Sequence, residues 1–337
     1  MPVIDPAPVA LPIPPIAVTM GDPCGIGPEI LLKAFAKASR PDDLVAVGDP
    51  DWLASEASRL GLPIPARIER AARVPADLNP GRIDPRAGDA AFRSIVHATE
   101  LAMTGRARAI VTAPISKEAM QAAGHIYPGH TELLAELAGG ADVRMMLANE
   151  ALRVVLVSIH VSLAQAVATL SRDRIVDTVR ITDRALREAG IAHPRIAVAG
   201  LNPHAGESGL FGREEIDIIE PAIRVACAAG IDARGPFAPD TVFMRARGLS
   251  EFDVVIAMYH DQGLIPIKYL GLDEGVNITI GLPFVRTSPD HGTAFDRAGR
   301  AGADGHGEAD PASLIAAIAQ ADRLSAARHH APAWPGP

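Results

Sequence analysis

Val154-Val155-Leu156-Val157-Ser158-Ile159-His160 is an apolar, β-branched run that ends on an imidazole. Such a run predicts a buried strand. The pattern recurs twice: residues 196–201 lead through Asn202-Pro203 to His204, and Val254-Val255-Ile256-Ala257-Met258-Tyr259 leads to His260. Further apolar runs at 16–20, 44–48, 109–113, 143–147 and 277–280 alternate with amphipathic stretches at 28–37, 88–103, 117–123, 130–137, 172–189, 213–229 and 311–327. Strand alternating with helix predicts an α/β fold. In open α/β sheets ligands sit outside the carboxyl ends of the strands, so three imidazoles in that position are candidates for one metal site. A single strand-end histidine is more often structural or merely exposed; the repetition is what carries the expectation. Neutral imidazole suits zinc, cobalt or nickel better than magnesium. Three protein ligands leave a position open for a substrate oxygen, which marks a catalytic ion.

The 337 residues, 48% hydrophobic and 21% charged, can bury a large core and exceed the commonest single-domain size, so two domains or one large α/β unit are expected. Pro28 in a first helical turn, and Asp310 as a cap before Pro311, mark two helix starts. Residues 62–86, rich in proline and arginine, predict an irregular connection, and 299–310 a loose glycine-rich loop. A net charge of −8 with no basic run argues against a nucleic-acid or anionic-membrane surface. Cys24 and Cys227 are too few for a disulfide framework and predict two reduced thiols. No lysine or arginine precedes Lys33 and no apolar stretch reaches a membrane span, so a cytoplasmic protein is expected, with residues 1–14 as a flexible, proline-rich arm.

Residues 20–30, Met20-Gly21-Asp22-Pro23-Cys24-Gly25-Ile26-Gly27-Pro28-Glu29-Ile30, follow a strand and open a helix, a geometry that presents backbone amides to an anion. Ile30 stands where a dinucleotide fingerprint needs its third glycine, and no P-loop lysine follows. A tight packing turn is the competing reading. Pro128-Gly129-His130-Thr131-Glu132 starts another helix with donors suited to an anion, and Lys268, Asn277 and Arg286 surround the last strand, where they could hold phosphate or carboxylate. Residues 289–299 read as a loop followed by a short helix.

Together these segments resemble the 4-hydroxythreonine-4-phosphate dehydrogenase family of vitamin B6 biosynthesis. The resemblance runs from about residue 16 to about residue 314 through GDPCGIGPEI, VTAPISK, YPGHTE, SIHVSL, GLNPHAGE, GPFAPDT, YHDQGLIPIKYLG and GVNITIGLPFVRTSPDHGTAFDRAGR. It implies the fold of isocitrate and isopropylmalate dehydrogenases, two α/β/α domains with the active site in the cleft between them. Residues 15–128 with 276–337 would form the first domain and 129–275 the second. Those enzymes' GDGIGPE turn is similar to GDPCGIGPE here, and their adenine-binding HGSAPD loop is similar to residues 291–296. The resemblance therefore implies NAD or NADP binding at His291, Gly292, Thr293, Ala294 and Asp296. It implies one divalent ion (zinc, cobalt or magnesium) on His160, His204 and His260, and substrate contacts from His130, Thr131, Lys268, Asn277 and Arg286. It also implies a homodimer with shared active sites, one metal histidine coming from the partner chain. Lys117 and Asp240, each ending a matched segment, are the candidates for general base. The stretch 305–310 departs from the family pattern as an extra loop.

The implied reaction is NAD-dependent oxidation of the C3 hydroxyl of 4-phosphooxy-L-threonine and decarboxylation to 3-amino-2-oxopropyl phosphate, on the way to pyridoxal 5'-phosphate. A metal would favour the alkoxide and then polarise the new carbonyl. A related branch oxidises 4-phospho-D-threonate or 4-phospho-D-erythronate, differing at C2. A metal-dependent phosphatase and a small-molecule binding protein are the readings from other classes.

Overall fold

Eleven strands join one continuous sheet in the computed structural model, which describes residues 13–271, 275–302 and 307–330. They are β1 (Ile16–Thr19), β2 (Leu44–Gly48), β3 (Ile68–Arg70), β4 (Ala109–Thr112), β5 (Arg144–Ala148), β6 (Arg153–Leu156), β7 (Ile196–Ala199), β8 (Ala233–Phe237), β9 (Val254–Ala257), β10 (Val276–Ile280) and β11 (Val285–Pro289). Their order is β3-β2-β1-β4-β11-β10-β5-β6-β9-β7-β8. The strands β3, β2, β1, β4 and β11 run parallel, as do β6, β9, β7 and β8. Between the blocks, β10 is antiparallel to both β11 and β5, and β5 is antiparallel to β6. The blocks therefore point in opposite directions.

β1, β2, β4, β7 and β9 are buried along their whole length. Helices on both faces cause this, and unbroken apolar runs are what such strands require. On one face the helices Gly27–Ala36, Pro50–Leu60, Arg172–Glu188, Glu220–Ala228 and Ala312–His330 share one core with Val18, Ala46, Met146, Val198 and Ile278. The other face carries two separate groups. Pro85–Met103, Lys117–Ala122 and His130–Leu137 pack on Ala17, Val45 and Ile110. Val242–Ala246 and His260–Tyr269 pack on Leu147, Val154 and Val255. The gap between these groups falls at β11 and β10 in the strand order, where the polar strand residues gather.

The α/β reading holds, and Asp310 caps the last helix through its contact with the Ala312 N–H at 2.9 Å. Three strands escape the apolar-run criterion. β3 is three residues on an edge, β8 is the opposite edge and reads Ala-Arg-Gly-Pro-Phe, and β11 reads Val-Arg-Thr-Ser-Pro. The helix His260–Tyr269 is hidden by Gly263 and Pro266. The short helix expected within 289–299 does not form; after β11 the chain passes through turns. Residues 1–12 of the expected arm, and 305–306 of the extra loop, lie outside the described residues. Residues 307–309 are tied down: Lys33 donates to the carbonyls of Gly307 and Ala309, and Glu29 accepts the Ala309 N–H. No described helix is long and apolar enough to cross a membrane.

Candidate active site

Arg286 is the most unusual side chain of the sheet. Only 2% of it is exposed, yet its donors reach two neutral hydroxyls, Thr279 Oγ1 at 2.9 Å and Thr112 Oγ1 at 2.6 Å. No carboxylate pairs with it among the described residues, and burial alone pulls its pKa down to about 9. The register explains the grouping. Asn277 faces Ser288 and Arg286 is level with Ile110, so strand alternation brings Asn277, Thr279, Arg286, Ser288 and Thr112 onto one face. That is the face with the gap. Arg286 Nε and Asn277 Oδ1 are both shielded and without a hydrogen-bond partner. Buried polar atoms are normally satisfied, and a desolvated cation among hydroxyls and an amide is a receptor for an anion.

His130 opens the helix His130–Leu137, whose N-cap is Gly129 with no side-chain cap. The first N–H groups are therefore free for a ligand. The His130 ring Nε2 and Glu132 Oε2 are also shielded and unpartnered. Burial lowers the His130 pKa well below the usual value, and the charges of Arg286 and Lys117 lower it further. His130 is thus a neutral donor or acceptor beside two cations. Thr131 follows it, partly buried. Lys117 begins the helix after β4, capped by Ser116; its exposed ammonium stands beside Gly129. Lys268 reaches across the gap from the helix after β9 to Asp290, just past β11, at 2.9 Å.

Of the three strand-end histidines, two meet in one chain: the rings of His160 and His260 are 5.9 Å apart. Burial, then the charge on Lys117, lowers the His160 pKa, with Glu132 opposing. The neutral form that a metal needs is thereby favoured. Asp261 Oδ1 sits 2.7 Å from His260 Nδ1, an orienting contact of the kind metal histidines carry. His204 is elsewhere, its ring near Phe211. Among the described residues no three His, Cys, Asp or Glu side chains are grouped to hold a metal. The donor chemistry fits a divalent ion, since two imidazoles at this spacing can share one with bonds of about 2.0–2.1 Å. One chain brings two of the three strand-end histidines together. His204 lies in a left-handed turn, with φ of 53°, 53°, 80°, 43° and 57° at residues 204–208. Each non-glycine residue there costs roughly 1–2 kcal/mol. Asp240, past the edge strand β8, is exposed, on the same edge of the sheet as β7 and His204.

The glycine turn and the 291–296 loop come together. The Thr293 carbonyl accepts the Ile26 N–H at 2.9 Å, and a Cβ on Gly25 would lie 2.9 Å from Thr293. Ala294 is left-handed, at φ 43°; His291, Gly292 and Asp296 are exposed. Asp22 in the glycine turn is fully buried, and burial pushes its pKa up to about 6 against the N–H groups of Cys24 and Ser116. The nearby Cys24 thiol is pushed up to about 12, first by burial and then by Asp22, so it is inert.

Residues 38–321 match the family model described as pyridoxal phosphate biosynthetic protein PdxA. The chain belongs to that family. Relatives of this chain include a 4-hydroxythreonine-4-phosphate dehydrogenase of Beijerinckia indica subsp. indica, 52% identical over 92% of this chain and 95% of the relative. A D-threonate 4-phosphate dehydrogenase of Pectobacterium atrosepticum is 46% identical over 92% and 99%. Among solved structures, a 4-hydroxythreonine-4-phosphate dehydrogenase from Klebsiella pneumoniae superposes with a TM-score of 0.83 at 45% identity, over 93% and 99% of the two chains.

Several residues of this PdxA-family site escape sequence reasoning: Thr112 and Thr279 under Arg286, Asp290 against Lys268, and Glu132. All four lie inside quoted motifs, where contiguity with a candidate residue is the available signal. A cavity of about 640 Å³ lies between Arg172–Glu188 and Ala312–His330, and its lining includes Thr279 and Arg286. Its Arg328 pairs with Glu188 at 3.5 Å and Arg153 donates to the Asp253 carbonyl at 3.2 Å. Those two cations already have partners, so Arg286, with no carboxylate partner among the described residues, and the polar atoms beside it mark the candidate site.

Proposed function

We propose that this chain is a dehydrogenase that oxidises the C3 hydroxyl of 4-phosphooxy-L-threonine with NAD or NADP, after which the product loses carbon dioxide to give 3-amino-2-oxopropyl phosphate. The observation that carries the reading is the buried guanidinium of Arg286, held by hydroxyls and facing no carboxylate. Arg286, His130, Thr131 and the uncapped N–H groups after Gly129 bind the phosphate. Lys268 and Asn277 orient the rest of the substrate, fixing C3 toward the dinucleotide. The loop with His291, Gly292, Thr293, Ala294 and Asp296, seated on the glycine turn, holds that dinucleotide. A bound dinucleotide would supply the hydride acceptor, and the C3 hydroxyl proton would go to a base. Lys117 is the stronger candidate because its charge is felt by both His130 and His160; Asp240 is the other.

His160, His204 and His260 would hold a divalent ion (zinc, cobalt or magnesium), which supplies Lewis-acid polarisation of the substrate oxygens. The third ligand requires a second copy, so the active form is a homodimer with shared sites. In support, Val161 and Leu163 beside His160, Leu210 and Phe211 beyond His204, and Ile265 on the His260 helix are exposed at 43–72%, an apolar surface suited to a partner. The 15–128 with 276–337 and 129–275 units would close over the gap.

A second reading, oxidation of 4-phospho-D-threonate or 4-phospho-D-erythronate, is favoured by the similarity to the Pectobacterium enzyme. Reduced-dinucleotide absorbance, measured with each substrate and a divalent ion, tests both. Turnover of 4-phosphooxy-L-threonine is expected to dominate. Preference for the threonate selects the second reading, and phosphate release without dinucleotide reduction overturns both.

A further inference from the structure

We propose that Glu215 is a positioning residue that preorganises His204 for the metal site, an inference that rests on the reading of His204 as a ligand. His204, Ala205, Glu207 and Ser208 all have positive φ, with Gly206 between them at 80° and Gly209 after them at 95°. This is a full left-handed turn built mostly from residues that disfavour it, so something outside the turn must hold it. The Glu215 carboxylate is in place to do so. It is 2% exposed. Its Oε1 accepts the N–H groups of Leu201 at 2.7 Å and Asn202 at 2.8 Å, and its Oε2 accepts Asn202 Nδ2 at 2.9 Å. All three donors are neutral and all precede His204 by two or three residues.

Two glycines record how closely the carboxylate approaches the backbone. A Cβ on Gly200 would lie 3.0 Å from Glu215 Oε1, and one on Gly206 would lie 2.6 Å from Oε2. The anchor thus touches the chain on both sides of His204. Glu214 adds a second acceptor for Asn202 Nδ2 at 2.7 Å. Glu215 itself opens a π-helical turn, Glu215–Ile219, a local widening often found at functional sites. An acidic side chain here suits the task because each oxygen accepts without offering a competing donor. Glutamine would turn an N–H₂ group toward either the two backbone donors or Asn202.

The test compares full-length wild type with Glu215→Gln, Asn202→Ala and His204→Ala. Zinc affinity is read by competition with a chelator, and assembly and folding by light scattering and circular dichroism. Glu215→Gln is expected to remain a folded dimer and to lose zinc affinity by about 10- to 100-fold, the range for groups that orient metal ligands. Asn202→Ala is expected to shift affinity in the same direction by less. The double variant Glu215→Gln/His204→Ala should bind zinc no more weakly than His204→Ala alone. If Glu215→Gln does not fold, Asn202→Ala carries the test. Wild-type affinity in the folded Glu215→Gln or Asn202→Ala protein, while His204→Ala is weakened, overturns the positioning role only. Unweakened binding by His204→Ala overturns the ligand assignment itself and the inference with it.

Discussion

Arg286 Nη2 donates to Thr112 Oγ1 at 2.6 Å, so a buried cation on β11 is satisfied by a neutral hydroxyl on the neighbouring strand. Hydroxyls accept a hydrogen bond but do not neutralise charge. A guanidinium in this setting is destabilising to the free protein and ready for an anion.

Replacing Arg286 by methionine separates these two effects. The side chain keeps most of its volume and loses its charge. Thermal stability without ligand is expected to be unchanged or to rise by about 1–3 kcal/mol. At the same time kcat/KM should fall at least about 100-fold, equivalent to roughly 2.7 kcal/mol of lost transition-state binding. Melting curves with and without inorganic phosphate check it, since the wild type should gain stability from phosphate and the variant should not. A destabilised variant with unchanged KM would remove Arg286 from the site.

Burial, which lowers the Arg286 pKa to about 9, gives a pH signature. Anion binding needs the charged form, present below about 9 and lost above it. KM for the phosphorylated substrate should therefore climb toward a tenfold rise per pH unit above about 9, and Arg286→Met should lack that rise. Folding responds with the opposite sign. Between about 9 and the usual arginine value the unfolded chain binds more protons, so this group adds stability as pH increases. A KM that is flat to pH 10 contradicts the assignment.

The sequence alone exposes some of this architecture and hides the rest. β1, β4, β7 and β9 are buried on both faces, so their composition has one meaning. β11 has the composition of a loop because Arg286 and Ser288 face the gap, and Thr287 donates to the Ala317 carbonyl behind. The helix His260–Tyr269 is obscured because Pro266 breaks its periodicity. His130, Asn277, Lys268 and Arg286 are recognisable as residue types with anion chemistry. What no residue type announces is that Arg286 lacks a carboxylate partner among the described residues, or that His204 lies apart from His160 and His260 in one chain. Both depend on packing between segments distant in sequence.

Gly25 permits the 291–296 loop, the proposed dinucleotide site, to sit on the glycine turn. A methyl group there would lie 2.9 Å from both Thr293 Cβ and the Thr293 carbonyl oxygen, closer than contact distance, and the carbonyl is fixed by the Ile26 N–H. Gly25→Ala is expected to push residues 291–296 outward and weaken dinucleotide binding by about tenfold, roughly 1.4 kcal/mol. The loss in folding stability should be smaller, within the ordinary range of about 0.5–3 kcal/mol for point variants. Dinucleotide binding measured by fluorescence titration, alongside KM for the phosphorylated substrate, distinguishes this from general damage. The substrate KM should hold while the dinucleotide constant rises, and the reverse pattern would place the nucleotide elsewhere.

Asp22 presents the opposite case, an acid kept in the core at a cost. Burial lifts its pKa from 3.8 to about 6 although the Cys24 and Ser116 N–H groups oppose the change, and Oδ2 has no partner. The folded protein therefore binds more protons than the unfolded chain between those values. The stability contribution of Asp22 is full below about 3.8 and is lost as pH rises through about 6, by at most roughly 3 kcal/mol. An asparagine at this position would keep an acceptor for the Cys24 N–H and remove the titration. Asp22→Asn is thus expected to match wild type near pH 4, where both folded side chains are neutral, and to melt several degrees higher at pH 7.5. Because the amide oxygen still joins the glycine turn to the segment carrying Lys117, turnover at pH 7.5 should change little as stability rises. Urea midpoints across pH 4–8, with kcat measured on the same samples, decide the matter. A variant less stable than wild type at pH 7.5 would mean that ionised Asp22 is compensated within the fold.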